Sequence, residues 1–133
     1  MAEDIKMNTK FLLVVSISLL FFGIFLDNYS TYLVFQKDYD YAVENEYNPY
    51  LVNKVKTEGM NLGAFLSFDI YEMLNIIYIL AIASMISFFW FVSFLKNFQP
   101  HDRMLIVFSL GMQLFAVIKI SAGLNNLFVY LTI

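Results

Sequence analysis

Three apolar stretches, each long enough to cross a bilayer, constrain this chain more than anything else in it. They cover about 11–36, 62–95 and 104–131. A spanning helix needs about 20 apolar residues. Lipid offers the backbone no hydrogen-bond partner, so each stretch must satisfy its own N–H and C=O groups as a helix. A closed barrel would need more strands than 133 residues supply. The expected fold class is therefore all-α: a polytopic integral membrane protein with three transmembrane helices in a single membrane domain, 1–133. Composition agrees, with 60% apolar residues, 15 Phe and 9 Tyr. A soluble domain of this size has too little interior for so many large apolar side chains, whereas lipid accepts them.

The first stretch follows Lys6 and Lys10 as a signal peptide would, but it runs on through Asp27 to Phe35 with no small-residue cleavage site, so it reads as a retained span. The sequon at Asn28 falls inside it and is no glycosylation site there. The second stretch would extend roughly 50 Å as one helix, so it tilts or protrudes, with Trp90 as an interface anchor near its far end. Pro100, in the short loop that follows, is expected to stop a helix. Three spans put Lys6, Lys10, Lys96 and Arg103 on one side, against Lys37, Lys54 and Lys56 on the other. Positive charge favours the cytoplasm, so the amino terminus is expected inside and the carboxyl terminus outside the cell membrane.

The polar loop 37–61 alternates acids with tyrosines. Counted from Asp38 as an EF-hand, it places acids at positions 1, 3, 7 and 9, but Val43 stands where the turn needs Gly and Pro49 where a bidentate Glu is needed. It reads instead as a solvated loop with tyrosines at headgroup level. Asn48 and Pro49 mark a helix start, and residues 50–58 a short interfacial amphipathic helix that Gly59 ends.

Charged and amide side chains inside the spans are costly, which makes them the candidate site. Asp27 and Thr31 lie four apart on one helix face; Asp69, Glu72 and Asn75 follow at intervals of three. Lys119 stands mid-span, with Ala116, Gly123 and Asn126 near its face. Asp27 is open to three readings: packing near the interface, a polar contact across helices, or a transport or catalytic role. Lys119 is expected to point inward and pair with Asp27, Asp69 or Glu72, the latter two preferred; a partner on another chain or an ion path are the alternatives. Ala83 and Ser87 form a small-x3-small pair suited to helix packing.

The segment from Leu19 to Leu51 resembles an uncharacterised family of small three-span membrane proteins from archaea and bacteria. The resemblance rests on Asp27 and Thr31, followed by Glu46, Asn48 and Pro49. It implies a fold and no activity. That family tends to carry a basic residue in the second span, where this chain has Asp69 and Glu72.

The sequence also limits function. Eight dispersed basic residues and a net charge of -3 argue against nucleic acid. Without Cys, and with His101 as its single His, the chain offers no thiolate or zinc site, a looser carboxylate ion site in the loop being the alternative that remains, and no catalytic or nucleotide-binding motif is present. No cofactor is expected beyond bound lipid. The expected role is a non-catalytic accessory subunit of a larger membrane assembly, with other membrane subunits as partners. The alternatives are a small homo-oligomeric transporter or channel-like protein, and a lipid-modifying enzyme using Asp27 and Glu46 as acids.

Overall fold

A computed structural model describes residues 8–46, 48–89 and 98–133; within it the side chains of Leu66, Phe68, Asp69 and residues 86–89 are not described. Among the described residues five helices follow in order: α1 (Thr9–Lys37), α2 (Tyr39–Asn45), α3 (Pro49–Glu58), α4 (Leu62–Phe89) and α5 (Pro100–Thr132). Helices α1, α4 and α5 are long and apolar enough to span a membrane, which makes the chain an all-α, multi-pass membrane protein. Within their apolar windows only 22%, 20% and 22% of residues are buried inside the chain, so most of each span's surface is left to lipid or to partners.

The direction of the bundle is written in its side-chain pairs. Thr9 donates to Asp102 at 3.0 Å, Gln113 to Ser16 at 2.9 Å, and Lys37 to the Tyr130 carbonyl at 2.6 Å. The near-constant offset along the two sequences means that α1 and α5 run parallel. Two glycines let them approach closely. A Cβ on Gly23 would lie 2.9 Å from the Ala116 carbonyl oxygen, and one on Gly123 would lie 2.9 Å from the Asp27 nitrogen. Helix α4 runs antiparallel to both, since Glu72 meets Lys119 and Leu80 meets Gly111. An apolar layer of Leu20, Ile24, Ile76, Leu80, Met112 and Ala116 joins the three spans.

The polar loop differs from expectation. Asp38 ends α1 and also caps α2, accepting from the Tyr41 backbone N–H at 3.0 Å. Residues 39–45 are thus helical rather than a solvated loop. Ala42 on α2 and Leu51 and Val55 on α3 pack onto Val34, Phe35, Ala64 and Phe65. This burial folds α2 and α3 back as a cap over one end of the bundle. Helix α3 starts at Pro49 behind Asn48, whose side chain accepts from Tyr50 and Leu51 N–H, and ends at Gly59 with φ 79°.

Pro100 likewise corrects the sequence reading: it opens α5 from its first turn rather than stopping a helix. Proline lacks only an N–H that this position leaves unpaired anyway, and its φ is already helical. The third span therefore begins four residues before the expected 104 and carries His101 on its first turn. Ala83 faces outward while Ser84 packs inward, bonded to the Ala81 carbonyl. The Ser87 side chain, Trp90, Lys6 and Lys96 lie outside the described residues.

Candidate functional site

Lys119 occupies the centre of the site because parallel packing of α1 on α5 sets it beside Asp27, and antiparallel packing of α4 sets it beside Glu72. Its ammonium donates to Asp27 Oδ2 at 3.0 Å and also pairs with Glu72 Oε1. The three side chains are only 14 to 19% exposed. One residue on α5 thus ties both other spans together. Asn126, two turns beyond Lys119, donates from Nδ2 to Asp27 Oδ1 at 3.2 Å and to Thr31 Oγ1 at 2.9 Å. A carboxamide has two N–H groups and serves both acceptors at once.

Thr31 has a different partner from the one its spacing suggests. Its hydroxyl donates to the Asp27 backbone carbonyl at 2.8 Å, as does that of Ser30, which leaves the carboxylate free for Lys119 and Asn126. Glu72 is less well served: its Oε2 is buried without a hydrogen-bond partner. The helix phase separates Asn75 from this group. Three residues beyond Glu72, its side chain is exposed on the outside of α4. The Asp69 side chain lies outside the described residues.

Above the ion pairs lies a cavity of about 790 Å³ between the α1–α5 pair and the α2–α3 cap. Asp27, Thr31, Lys119 and Asn126 line its deep end, and Glu46, Asn48 and Pro49 its cap side. It reaches the surface at Asn45 and Asn125, both exposed. From Lys37 down to Asp27 the α1 axis falls about 15 Å, so the floor is set well inside the span.

The Glu46–Pro49 segment has a clear local mechanics. Glu46 Oε1 accepts from the Asn48 backbone N–H at 2.8 Å, Asn48 caps α3, and Pro49 takes the first helical position. This turn fixes Glu46 at the cavity wall. Burial pushes the Glu46 carboxyl above its ordinary range. The Asn48 N–H opposes that shift, the carboxylates of Asp27 and Glu72 add to it, and Lys119 opposes it.

Sequence reasoning missed Asn28, Tyr41, Asn45 and Asn125, which also line the cavity. Asn28 and Asn125 stand next in sequence to Asp27 and Asn126, so consecutive polar residues in an apolar run were the available signal. The buried Ser16–Gln113 pair was missed as well. Among the described residues no group of three or more His, Cys, Asp or Glu is placed to hold a metal ion. Comparison with protein-family models, with curated proteins and with solved structures finds no match to this chain.

Proposed function

We propose that this chain is a small transporter-like membrane protein that admits a proton or small monovalent cation to the cavity and holds it at the Asp27 carboxylate, with the Lys119–Glu72 pair beside it. The observation that carries this reading is a cavity ending on an intramembrane ion cluster in which carboxylates outnumber ammonium groups. Among the described residues, two carboxylates, Asp27 and Glu72, are paired with one ammonium, Lys119, and Glu46 stands on the cap side of the same cavity. Negative charge left in a low-dielectric site is stabilised by taking up a positive one. Ion clusters of this kind mark ion and proton paths in membrane proteins.

The cavity is closed below. Past Lys119 the spans meet through Leu20, Ile24, Met112 and Ala116, each at most 2% exposed. Access from one side and an apolar seal on the other is the geometry of a carrier rather than of an open pore. The ion cluster supplies a switch. A proton on Asp27 weakens the hold of α5 on α1, whereas a proton on Glu72 weakens its hold on α4. Uptake therefore shifts the two helix contacts against each other.

Dye-loaded proteoliposomes under an imposed pH gradient test this reading. Wild-type protein should carry protons, and Asp27→Asn and Glu72→Gln should each lower the rate at least about tenfold while remaining monodisperse. Flux equal to empty vesicles, across proton and monovalent-cation gradients alike, refutes it.

The second reading is a subunit of a larger assembly, in which the cluster only staples three spans. The large unburied share of each span favours it, and stable co-isolation with other membrane chains, with no flux, would select it. In the same proposal the amino terminus lies in the cytoplasm, the carboxyl terminus outside, and the cavity faces outward; the bias of Lys and Arg supports this, and reporters fused to each terminus check it. The five residues that carry the family resemblance, Asp27, Thr31, Glu46, Asn48 and Pro49, all line this cavity, which supports kinship with that family as a further proposal.

A further inference from the structure

Asn75 stands halfway along the 28-residue α4, a helix long and apolar enough to cross a membrane, and its side chain is exposed. It has no hydrogen-bond partner among the described residues. Ser18, Ser84 and Gln113 on the spans each have a partner, in Val14, Ala81 and Ser16, and the atoms left without one, Glu72 Oε2 and Ser109 Oγ, are buried inside the bundle rather than turned outward. A carboxamide facing acyl chains has neither donor nor acceptor to meet it, and that is costly. Something with hydrogen-bonding capacity at the same depth must cover it.

We propose that the Asn75 face of α4 is a contact between two copies of this chain, with the two Asn75 carboxamides bonded to each other across a twofold axis along the membrane normal. Two arguments select a second copy. A carboxamide is self-complementary, because its C=O accepts what its NH₂ donates. A twofold axis along the normal also brings Asn75 of each copy to the same depth by symmetry, which no other occupant does automatically. The surrounding face suits a helix pair. Tyr71, Tyr78, Ile79 and Ile82 lie at helical spacing around Asn75 and are all exposed, at 56%, 68%, 55% and 44%. This surface lies outside the cavity, so the inference stands or falls independently of transport.

The chain contains no cysteine, so a single introduced thiol reports proximity without background. Ile79→Cys, on the proposed face, and Leu114→Cys, on exposed α5, are oxidised in native membranes and in proteoliposomes at rising lipid-to-protein ratio. The expected result is a disulfide-linked pair of chains for Ile79→Cys and none for Leu114→Cys. Adding Asn75→Leu to Ile79→Cys should weaken association about 3- to 30-fold, while Asn75→Gln should retain it. Asn75→Ala provides a second apolar variant should the Leu variant prove polydisperse. Equal crosslinking with and without the amide overturns the proposal, as does crosslinking at Leu114 as efficient as at Ile79. A crosslink from Ile79→Cys to a different protein overturns it too, by giving this face another partner.

Discussion

Removing the charge on Lys119 is the sharpest perturbation of the ion cluster. Lys119→Met keeps the length of the side chain and leaves Asp27 and Glu72 facing each other with no cation between them. Stranding one member of a buried pair costs about 3–5 kcal/mol in soluble proteins. Here two carboxylates are stranded, so the upper end of that range is expected. The two are not equivalent. Asp27 keeps its bond from Asn126, whereas Glu72 already has one buried oxygen without a partner. Neutralising Glu72 should therefore relieve the Lys119→Met variant more than neutralising Asp27. Denaturant titration of purified protein in mixed micelles, arranged as a double-mutant cycle, reads this directly. Lys119→Met with Glu72→Gln should recover about 2 kcal/mol or more of the single-variant loss. Losses that add to within about 0.5 kcal/mol at both acids would refute the pairing energetics.

Three further outcomes follow from the geometry. Gly123→Val puts a branched side chain where even a Cβ would lie 2.9 Å from the Asp27 nitrogen, so it should force α1 and α5 apart and cost about 1–3 kcal/mol in the same titration. Asn48→Ala removes the cap of α3, which accepts from Tyr50 and Leu51. It should cost about 1 kcal/mol, seen as earlier proteolysis of the α2–α3 cap while the spans persist. Glu46→Gln tests pH dependence. Because the folded Glu46 carboxyl lies above its ordinary value of 4.5, its favourable contribution is complete below that value and is lost as pH rises through the folded value. Stability measured upward from about pH 4.5 should therefore fall less steeply in Glu46→Gln than in the wild type, and identical slopes would refute the shift.

The number and kind of spanning elements were legible in the sequence, because the bilayer enforces them residue by residue: a long apolar run in lipid has to be a helix. The start of α3 was legible for a similar reason, since Asn48 and Pro49 act on neighbouring backbone atoms. Pro100 shows the limit of such local signals, as the same residue ends or begins a helix depending on which side of it the chain is helical. Helix α2 escaped notice because seven mixed residues carry little periodicity, and Ala42 becomes a buried residue only once Phe35, Leu51 and Phe65 surround it. The costly residues Asp27, Glu72 and Lys119 could each be marked from sequence by the price of charge in lipid. That Lys119 would turn inward to an acid could be expected as well, but that it meets Asp27 and Glu72 together could not, because this depends on α1 and α5 running parallel at close approach, on Gly23 and Gly123 permitting that approach, and on the rotation of α4 about its axis. That same rotation turns Glu72 inward and Asn75, three residues away, outward. Which residues are polar is a property of the chain; which of them share a site is decided by helix phase and packing, which no residue carries by itself.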